Sequence, residues 1–238
     1  MGYPTRLTYG ITTVAKQKPL GMYPFPDPFH TGSDENLDVA GYANDFFGIG
    51  STTLDWTITG ASSTFTATDG LGGVALVTPG GVSTATAVYK VGNSFQFVAG
   101  NEFWYVCRIK PSAVAGAVSY QFGLRNGASS TEGLWFAKAG SSTSLNLVST
   151  VSSAAATLVT GVDAAVAAQY HDVAFYYNGL DLLVYMNDNL VARVAAPTIG
   201  ASGTNLTNAL LTPFFQITPT ATDTLSIDYV LAAEEMLR

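Results

Sequence analysis

The sequence predicts an all-β protein, in which an antiparallel β-sandwich follows an extended arm. From about residue 42 onward, apolar and polar residues alternate in short segments that Gly, Asn, Ser and Pro interrupt. Alternation with a period of two places the apolar residues on one face of a strand, as the packing of one sheet on another requires. Before that point the alternation is absent, and half of the ten prolines lie within the first 28 residues.

We predict the arm over residues 1–41 and the sandwich domain over residues 42–238. In the stretch GMYPFPDPFH, proline occupies positions 24, 26 and 28, which excludes a helix or a central strand. The arm is also too apolar for a solvated linker, so we expect it to bind a partner. Its candidate binding residues are Tyr3, Arg6, Leu7, Tyr9, Ile11, Tyr23, Phe25 and Phe29. The alternative is that the arm folds back over its own sandwich.

Alternation also predicts which side chains of each strand point into the sandwich. The predicted inward faces are Leu54, Trp56 and Ile58; Phe103, Tyr105, Cys107 and Ile109; Val118, Tyr120, Phe122 and Leu124; and Leu225, Ile227 and Tyr229. Cys107 is therefore expected to be a buried thiol, and as the only cysteine it can form no intrachain disulfide.

Residues 169–194 predict three strands that turn back on one another. Asn178-Gly179 is expected to form a type I′ turn, because both central positions of that turn need a positive φ. The return strand is expected to point Leu180, Leu182, Val184 and Met186 inward. Asn187–Asn189 predicts the next turn, with a calcium site as the less favoured alternative. One helical turn is expected within 161–168.

Residues 45–232 resemble the concanavalin-like jelly rolls, the family of legume lectins, laminin-G-like modules and many glucanases. The resemblance rests on the strand QYHDVAFYY, the hairpin and turn of LLVYMNDNLVARV, and the final strand LSIDYV. It implies a jelly-roll sandwich. Glucanases of this family carry a Glu-x-Asp-x-Glu arrangement on one strand, and this sequence has none.

No catalytic set is predicted. The Glu residues of the domain are Glu102, Glu132, Glu234 and Glu235, and only the last two are close in sequence. His30 and His171 are the only histidines, and Asp172 falls on the opposite face of the strand from His171. We expect His171 to bind a backbone carbonyl, and Asp228 to point into solvent. Metal-ligating clusters are absent, so no enzyme activity, cofactor or metal is expected.

Composition narrows the classes of partner. Charged residues make up 11% of the chain, against about 25% in ordinary soluble domains. The net charge of −7 disfavours non-specific binding to nucleic acid. No run reaches the ~18 apolar residues of a membrane span, and the start MGYPTRLTYG does not predict a signal peptide.

As a whole, the chain resembles the accessory proteins of tailed-bacteriophage virions, in particular capsid decoration (cement) proteins. The resemblance rests on an arm of the type YPTRLTYGITTV…PFPDPF, joined to an Ala/Ser/Thr/Gly-rich sandwich that ends DYVLAAEEM. It implies a structural protein, made in the host cytoplasm, that forms a homotrimer and stabilises the capsid exterior by binding the major capsid protein.

The alternative function is a carbohydrate-binding jelly-roll module of a virion adsorption or tail-associated protein. Trp104 and Trp135 are expected on the faces of their strands opposite the main apolar stripe. A tryptophan in such a position serves either as a sugar-stacking surface or as a protein interface. Both functions are therefore kept as expectations.

Overall fold

The computed structural model describes residues 39–46, 55–68, 73–164, 166–200 and 205–235. The eight candidate binding residues of the arm, together with His30 and Leu54, lie outside the described residues. The first described strand begins at Val39, so three residues assigned to the arm belong to a sheet. Within the described residues, no helix has the length and hydropathy needed to cross a bilayer.

The described residues form fifteen strands. They are β1 Val39–Asn44, β2 Trp56–Thr59, β3 Thr64–Thr68, β4 Val74–Thr78, β5 Thr86–Lys90, β6 Glu102–Pro111, β7 Ser119–Arg125, β8 Gly133–Lys138, β9 Ser144–Val151, β10 Ala154–Ala164, β11 His171–Asn178, β12 Leu182–Met186, β13 Asn189–Val194, β14 Thr212–Thr218 and β15 Leu225–Glu235. The predicted all-β class is confirmed.

The strands form two antiparallel sheets. The eight-stranded sheet has the order β13-β12-β11-β6-β15-β4-β3, and β1 also pairs with β15. The seven-stranded sheet has the order β10-β9-β8-β7-β14-β5-β2. Because β15 is long, it pairs with β6 on one side and with both β4 and β1 on the other. The two sheets pack face to face over one main core, which confirms the predicted sandwich.

The inward faces predicted for β6 and β7 are confirmed. Tyr105 and Cys107 are fully buried in the main core, and burial raises the pKa of the Cys107 thiol well above its usual range. Phe175 of β11 stacks on Tyr105, with ring centroids 4.9 Å apart. Each fully buried side chain of this size contributes about 2–3 kcal/mol by leaving water, so these strands hold the sheets together.

The last strand departs from strict alternation. A register shift lies between Ile227 and Tyr229, where β15 pairs with β6. Tyr229 therefore lies on the outer face of the eight-stranded sheet, and Val230 takes the inward position. The prediction that Tyr229 points inward is wrong, because the extra residue of a bulge reverses the side-chain alternation beyond it.

The β11–β12 turn is one residue later than expected. The Asn178 N–H donates to the Asp181 carbonyl at 3.0 Å, so Gly179 and Leu180 are the two central residues of the turn, and only Gly179 has a positive φ, of 83°. The Asn178 side-chain oxygen accepts the backbone N–H of Leu180 and of Asp181, at 3.0 and 2.7 Å. The predicted type I′ turn at Asn178-Gly179 is therefore wrong, and Leu180 is 62% exposed instead of inward.

Two positive φ angles in succession occur in the following hairpin instead. Asn187 and Asp188 have φ of 46° and 69° between β12 and β13. The Asn187 side-chain oxygen accepts the backbone N–H of Asp172 at 3.1 Å, so it ties this turn to the neighbouring strand β11. Asn and Asp tolerate this left-handed region better than most residues do.

Strand β10 forms one edge of the seven-stranded sheet. Its pairing with β9 shifts register twice, between Thr157 and Val159 and between Val159 and Asp163. Most of its side chains are exposed. The helical turn expected within 161–168 is wrong, because β10 continues to Ala164.

Candidate functional site

Trp104 and Trp135 lie on the two outer faces of the sandwich, as predicted. Trp104 belongs to β6 in the eight-stranded sheet, and Trp135 to β8 in the seven-stranded sheet. Each side chain is only 5% exposed, so neither ring protrudes into solvent. The surroundings of the two rings therefore decide what each face can bind.

The outer face of the eight-stranded sheet carries a second apolar cluster. Its members are Trp104, Val106, Ala174, Tyr176, Tyr185, Tyr229, Leu231 and Ala233. Trp104 stacks on Tyr176 with ring centroids 5.4 Å apart and an interplanar angle of 16°. Burial raises the pKa of the Tyr176 hydroxyl well above its usual range. On this face, apolar side chains therefore pack mainly against one another.

Charges beside this cluster are paired with one another. Arg108 Nη1 lies 3.4 Å from Asp228 Oδ2, and Arg108 Nε lies 3.7 Å from Asp172 Oδ1. Tyr229 donates its hydroxyl to Asp172 at 2.8 Å. The expectation that Asp228 points into solvent is wrong, because its side chain is mostly buried and its carboxylate faces Arg108.

The outer face of the seven-stranded sheet carries a row of three aromatic rings. Tyr89 pairs with Phe214, Phe214 with Gly123, and Gly123 with Trp135. The row therefore crosses β5, β14, β7 and β8. Trp135 meets Phe214 edge to face, with centroids 5.8 Å apart and an interplanar angle of 88°. We call Tyr89, Phe214 and Trp135 the aromatic row.

Two glycines allow Trp135 to lie close to the sheet. A Cβ atom on Gly133 would lie 2.8 Å from Cζ3 and 2.9 Å from Cε3 of Trp135. A Cβ atom on Gly123 would lie 2.6 Å from Cα of Trp135. Only a residue without a side chain leaves room for this packing, so the glycines determine the height of the indole ring.

Half-buried amides form the next row on the same face. Gln216 pairs with Gln121, Gln121 with Ala137, and Ala137 with Asn146. Asn146 accepts the backbone N–H of Gly161 at 2.8 Å. Each amide offers both a donor and an acceptor in one plane, which suits hydrogen bonding to hydroxyl groups.

Arg125 lies across the aromatic row. Its guanidinium carbon is 4.3 Å from the centroid of the Phe214 ring. Nε donates to the Gly127 carbonyl at 3.0 Å, and Nη1 donates to Gln216 Oε1 at 2.9 Å. The side chain is 3% exposed, and burial lowers the pKa of Arg125 to about 10. The face thus combines aromatic rings, amides and one cation.

The glutamates lie away from this face. Glu132 accepts the Ser152 N–H at 2.8 Å and also accepts the Thr207 hydroxyl. Glu234 accepts the Gln96 N–H at 2.6 Å, and burial raises the pKa of its carboxyl. In the described strands β2, β5, β14, β7, β8 and β9, no outward side chain is Asp or Glu. These strands present no carboxylate pair for glycoside hydrolysis.

His171 is buried at the start of β11. The Val166 N–H lies 3.0 Å from its Nε2 atom, the Val166 carbonyl oxygen lies 3.2 Å from the same atom, and Nδ1 lies 4.0 Å from Asp163 Oδ2. His171 thus contacts the backbone of Val166, and its donation to a carbonyl stays a prediction. Asp172 points to the other face, where it meets Tyr229. Among the described residues, no group of three or more His, Cys, Asp or Glu side chains could hold a metal ion.

The sequence interpretation identified Trp135 but missed Arg125, Tyr89 and Phe214. Alternation in SYQFGLR gives a signal for Arg125, because Leu124 points inward and its neighbour must point outward. No sequence pattern shows that β5, β14, β7 and β8 are neighbours, since β14 follows β8 by more than 70 residues. The site therefore depends on pairing between distant strands.

Comparison with known proteins supports the fold. No family model matches the chain, and no curated protein matches it. A protein of unknown function from Shewanella oneidensis MR-1 has a similar structure, with a TM-score of 0.58 and 15% identity over 96% of this chain and 97% of that chain. An endo-1,3-β-glucanase from Streptomyces sioyaensis has a TM-score of 0.56 and 12% identity over 84% and 97%.

A phage protein module is also similar. The CBM2 module of the evolved Dit protein of Lactobacillus casei BL23 phage J-1 has a TM-score of 0.53 and 11% identity, over 85% of this chain and 99% of the module. At these identities the likeness establishes the fold, a lectin-like jelly roll, and nothing narrower.

Proposed function

We propose that this chain is a non-catalytic carbohydrate-binding module of a bacteriophage particle. The observation that carries the proposal is the half-buried Tyr89, at one end of the aromatic row, which lies beside half-buried amides on an outer sheet face. Aromatic rings stack against the apolar faces of sugar rings, while amides bind their hydroxyl groups. Small-ligand sites are usually lined by apolar side chains, with a few polar groups that orient the ligand.

Two further observations support the proposal. The outward side chains of β2, β5, β14, β7, β8 and β9 include no carboxylate, which favours binding over hydrolysis. The jelly-roll fold is shared with a carbohydrate-binding module of a phage Dit protein, which supports a role in virion adsorption. Such a role requires recognition of a surface glycan and no chemistry on it.

A glycan array tests this proposal directly. We expect the full chain to bind a defined group of glycans. Tyr89→Ala and Gln121→Ala should weaken that binding about tenfold or more, because each removes a stacking or hydrogen-bonding group. Tyr170→Ala and Gln169→Ala are matched controls, since these residues lie outside the seven-stranded sheet. Binding of no glycan, or equal losses in the control variants, would overturn the proposal.

Capsid decoration is the second candidate function, and one observation favours it. Val39 pairs with Glu235 at the border of the eight-stranded sheet, and Ala233 of the same strand pairs with Trp104. The first 38 residues therefore join the described fold beside an apolar face. Under this proposal, residues 1–38 and that face bind the major capsid protein, and the protein forms a homotrimer on the capsid exterior.

Deletion of residues 2–29 tests the second candidate. The shortened chain should fold, but it should neither form a trimer in size-exclusion chromatography nor co-sediment with capsids that lack the protein. Proline lowers the entropy cost of holding the arm extended on a partner, so the arm should contribute most of the affinity. A shortened chain that assembles and co-sediments normally would rule this candidate out.

A further inference from the structure

Arg125 differs from two other arginines in the chain. Arg193 donates from Nε to Asp181 Oδ2 at 2.9 Å, and Arg108 Nη1 lies 3.4 Å from Asp228 Oδ2. Within the part of the chain that the structure describes, no carboxylate lies within ion-pair distance of Arg125. The chain carries 17 acidic and 10 basic residues, so a shortage of carboxylates does not explain this.

The charge of Arg125 is costly where it stands. A guanidinium has five N–H donors, and two of the Arg125 donors bind neutral oxygens, of Gly127 and of Gln216. Taking a charge out of water is expensive unless a counter-charge or a full set of hydrogen bonds replaces the water. Among the described residues, Arg125 has these two hydrogen bonds and the Phe214 ring but no counter-charge, while a neutral residue at the same position would avoid the cost.

We propose that Arg125 binds the carboxylate of an acidic sugar, whose ring stacks on Tyr89, the half-buried ring of the aromatic row. The inference rests on the proposed carbohydrate-binding function and names the ligand class of that site. A planar guanidinium binds a carboxylate through two parallel hydrogen bonds, which a neutral sugar cannot accept in the same way. The ligand therefore supplies the counter-charge that the described residues do not.

The position of the guanidinium suits this role. It lies 4.3 Å from the centre of Phe214, the middle ring of the aromatic row. Tyr89 pairs with Phe214 and is half-buried, so a sugar stacked on Tyr89 would have its substituents within reach of that position. The net charge of −7 repels polyanions in general, so binding of an acidic glycan requires a local site such as this one.

Affinity electrophoresis of the unmodified protein is the first test. The probes are polygalacturonate, alginate and hyaluronan, each compared with its methyl ester. Dextran sulfate serves as a polyanion that carries no carboxylate. We expect at least one acidic glycan to retard the protein. Its methyl ester should bind at least about tenfold more weakly, because it cannot form the charged hydrogen bond. Equal binding of acid and ester would overturn the inference.

Variants supply the second test. Arg125→Gln should weaken binding of the acidic glycan about tenfold or more, and Arg125→Lys should weaken it less, because lysine keeps the charge but loses the paired donors. Arg193→Gln is the control, since Arg193 lies on β13 of the other sheet. If the unmodified protein binds dextran sulfate as tightly as it binds the acidic glycans, the inference is also overturned.

The outcomes separate this inference from the function on which it rests. If neutral glycans bind as well as acidic ones, and Arg125→Gln binds like the unmodified protein, the acidic class is wrong but carbohydrate binding stands. If neither the array nor electrophoresis detects any glycan, the proposed function fails. If Arg125→Gln does not fold, the comparison of acid with methyl ester decides on the unmodified protein alone.

Discussion

The two outer faces of the sandwich each bury one tryptophan, but they surround it differently. Trp104 stacks on Tyr176 within a cluster of apolar side chains, and the nearby Arg108 is paired with carboxylates. Trp135 lies against glycines and meets Phe214 at its edge, while Arg125 crosses the same ring. The arginine beside the first face is paired with carboxylates, whereas no carboxylate of the described residues lies within ion-pair distance of Arg125 on the second.

The difference shows how to separate a packing surface from a binding surface. Both faces are aromatic, so aromatic content alone does not distinguish them. Polar groups on an apolar face cost free energy unless they form hydrogen bonds, so their retention needs a reason. On the seven-stranded sheet, the proposed glycan binding is such a reason.

The largest expected effect comes from removing each tryptophan. Trp104→Ala and Trp135→Ala should each lower the free energy of unfolding by about 3–5 kcal/mol, because both rings are buried. Urea denaturation measures this loss. Below the unfolding transition, only Trp135→Ala should lose glycan binding. Loss of glycan binding in folded Trp104→Ala would contradict the division between the two faces.

An intermediate effect is expected at the glycines beneath Trp135. Gly133→Ala should cost about 2 kcal/mol, because the new Cβ atom would overlap the indole ring and the backbone of Leu124. Gly140→Ala is the matched control, since a Cβ atom there would meet nothing within 4 Å. Its stability should change by less than about 0.5 kcal/mol. Thermal unfolding of both variants measures the contrast, and equal melting temperatures would refute the packing described for Trp135.

The smallest effects come from single hydrogen bonds on each face. Gln216→Leu removes the acceptor of Arg125 Nη1, and Tyr229→Phe removes the donor to Asp172. Each change should cost about 1–2 kcal/mol in urea denaturation, since one partner of each bond is charged. Glycan affinity should fall in Gln216→Leu and stay constant in Tyr229→Phe. A constant affinity in both would show that Gln216 does not position Arg125.

Sequence alternation predicted the sandwich because period-2 patterning follows directly from strand geometry. The inward positions of Tyr105, Cys107 and Phe122 needed no knowledge of the rest of the chain. Tyr229 was placed on the wrong face because a bulge adds one residue without changing the sequence pattern. The Asn178-Gly179 turn was misplaced because the Asn178 side chain caps the following residues instead of joining the turn.

The candidate site was less predictable than the fold. Each strand showed that Trp135 and Arg125 point outward, but nothing local showed that Phe214 and Tyr89 lie beside them. Pairing between distant strands is selected by the packing of the whole core, so a short pattern does not encode it. That no carboxylate of the described residues lies within ion-pair distance of Arg125 is likewise a property of three-dimensional neighbours, which composition cannot show.

The irregular edge strand β10 has a consequence for behaviour at high local concentration. A straight exposed edge invites a strand from another copy to extend the sheet, and repeated extension leads to polymerisation. The two register shifts in β10 break the even row of backbone donors and acceptors that such extension requires. Copies of this protein crowded on one surface should therefore meet through their faces and not fuse into continuous sheets, so a dense array can form without becoming a fibre.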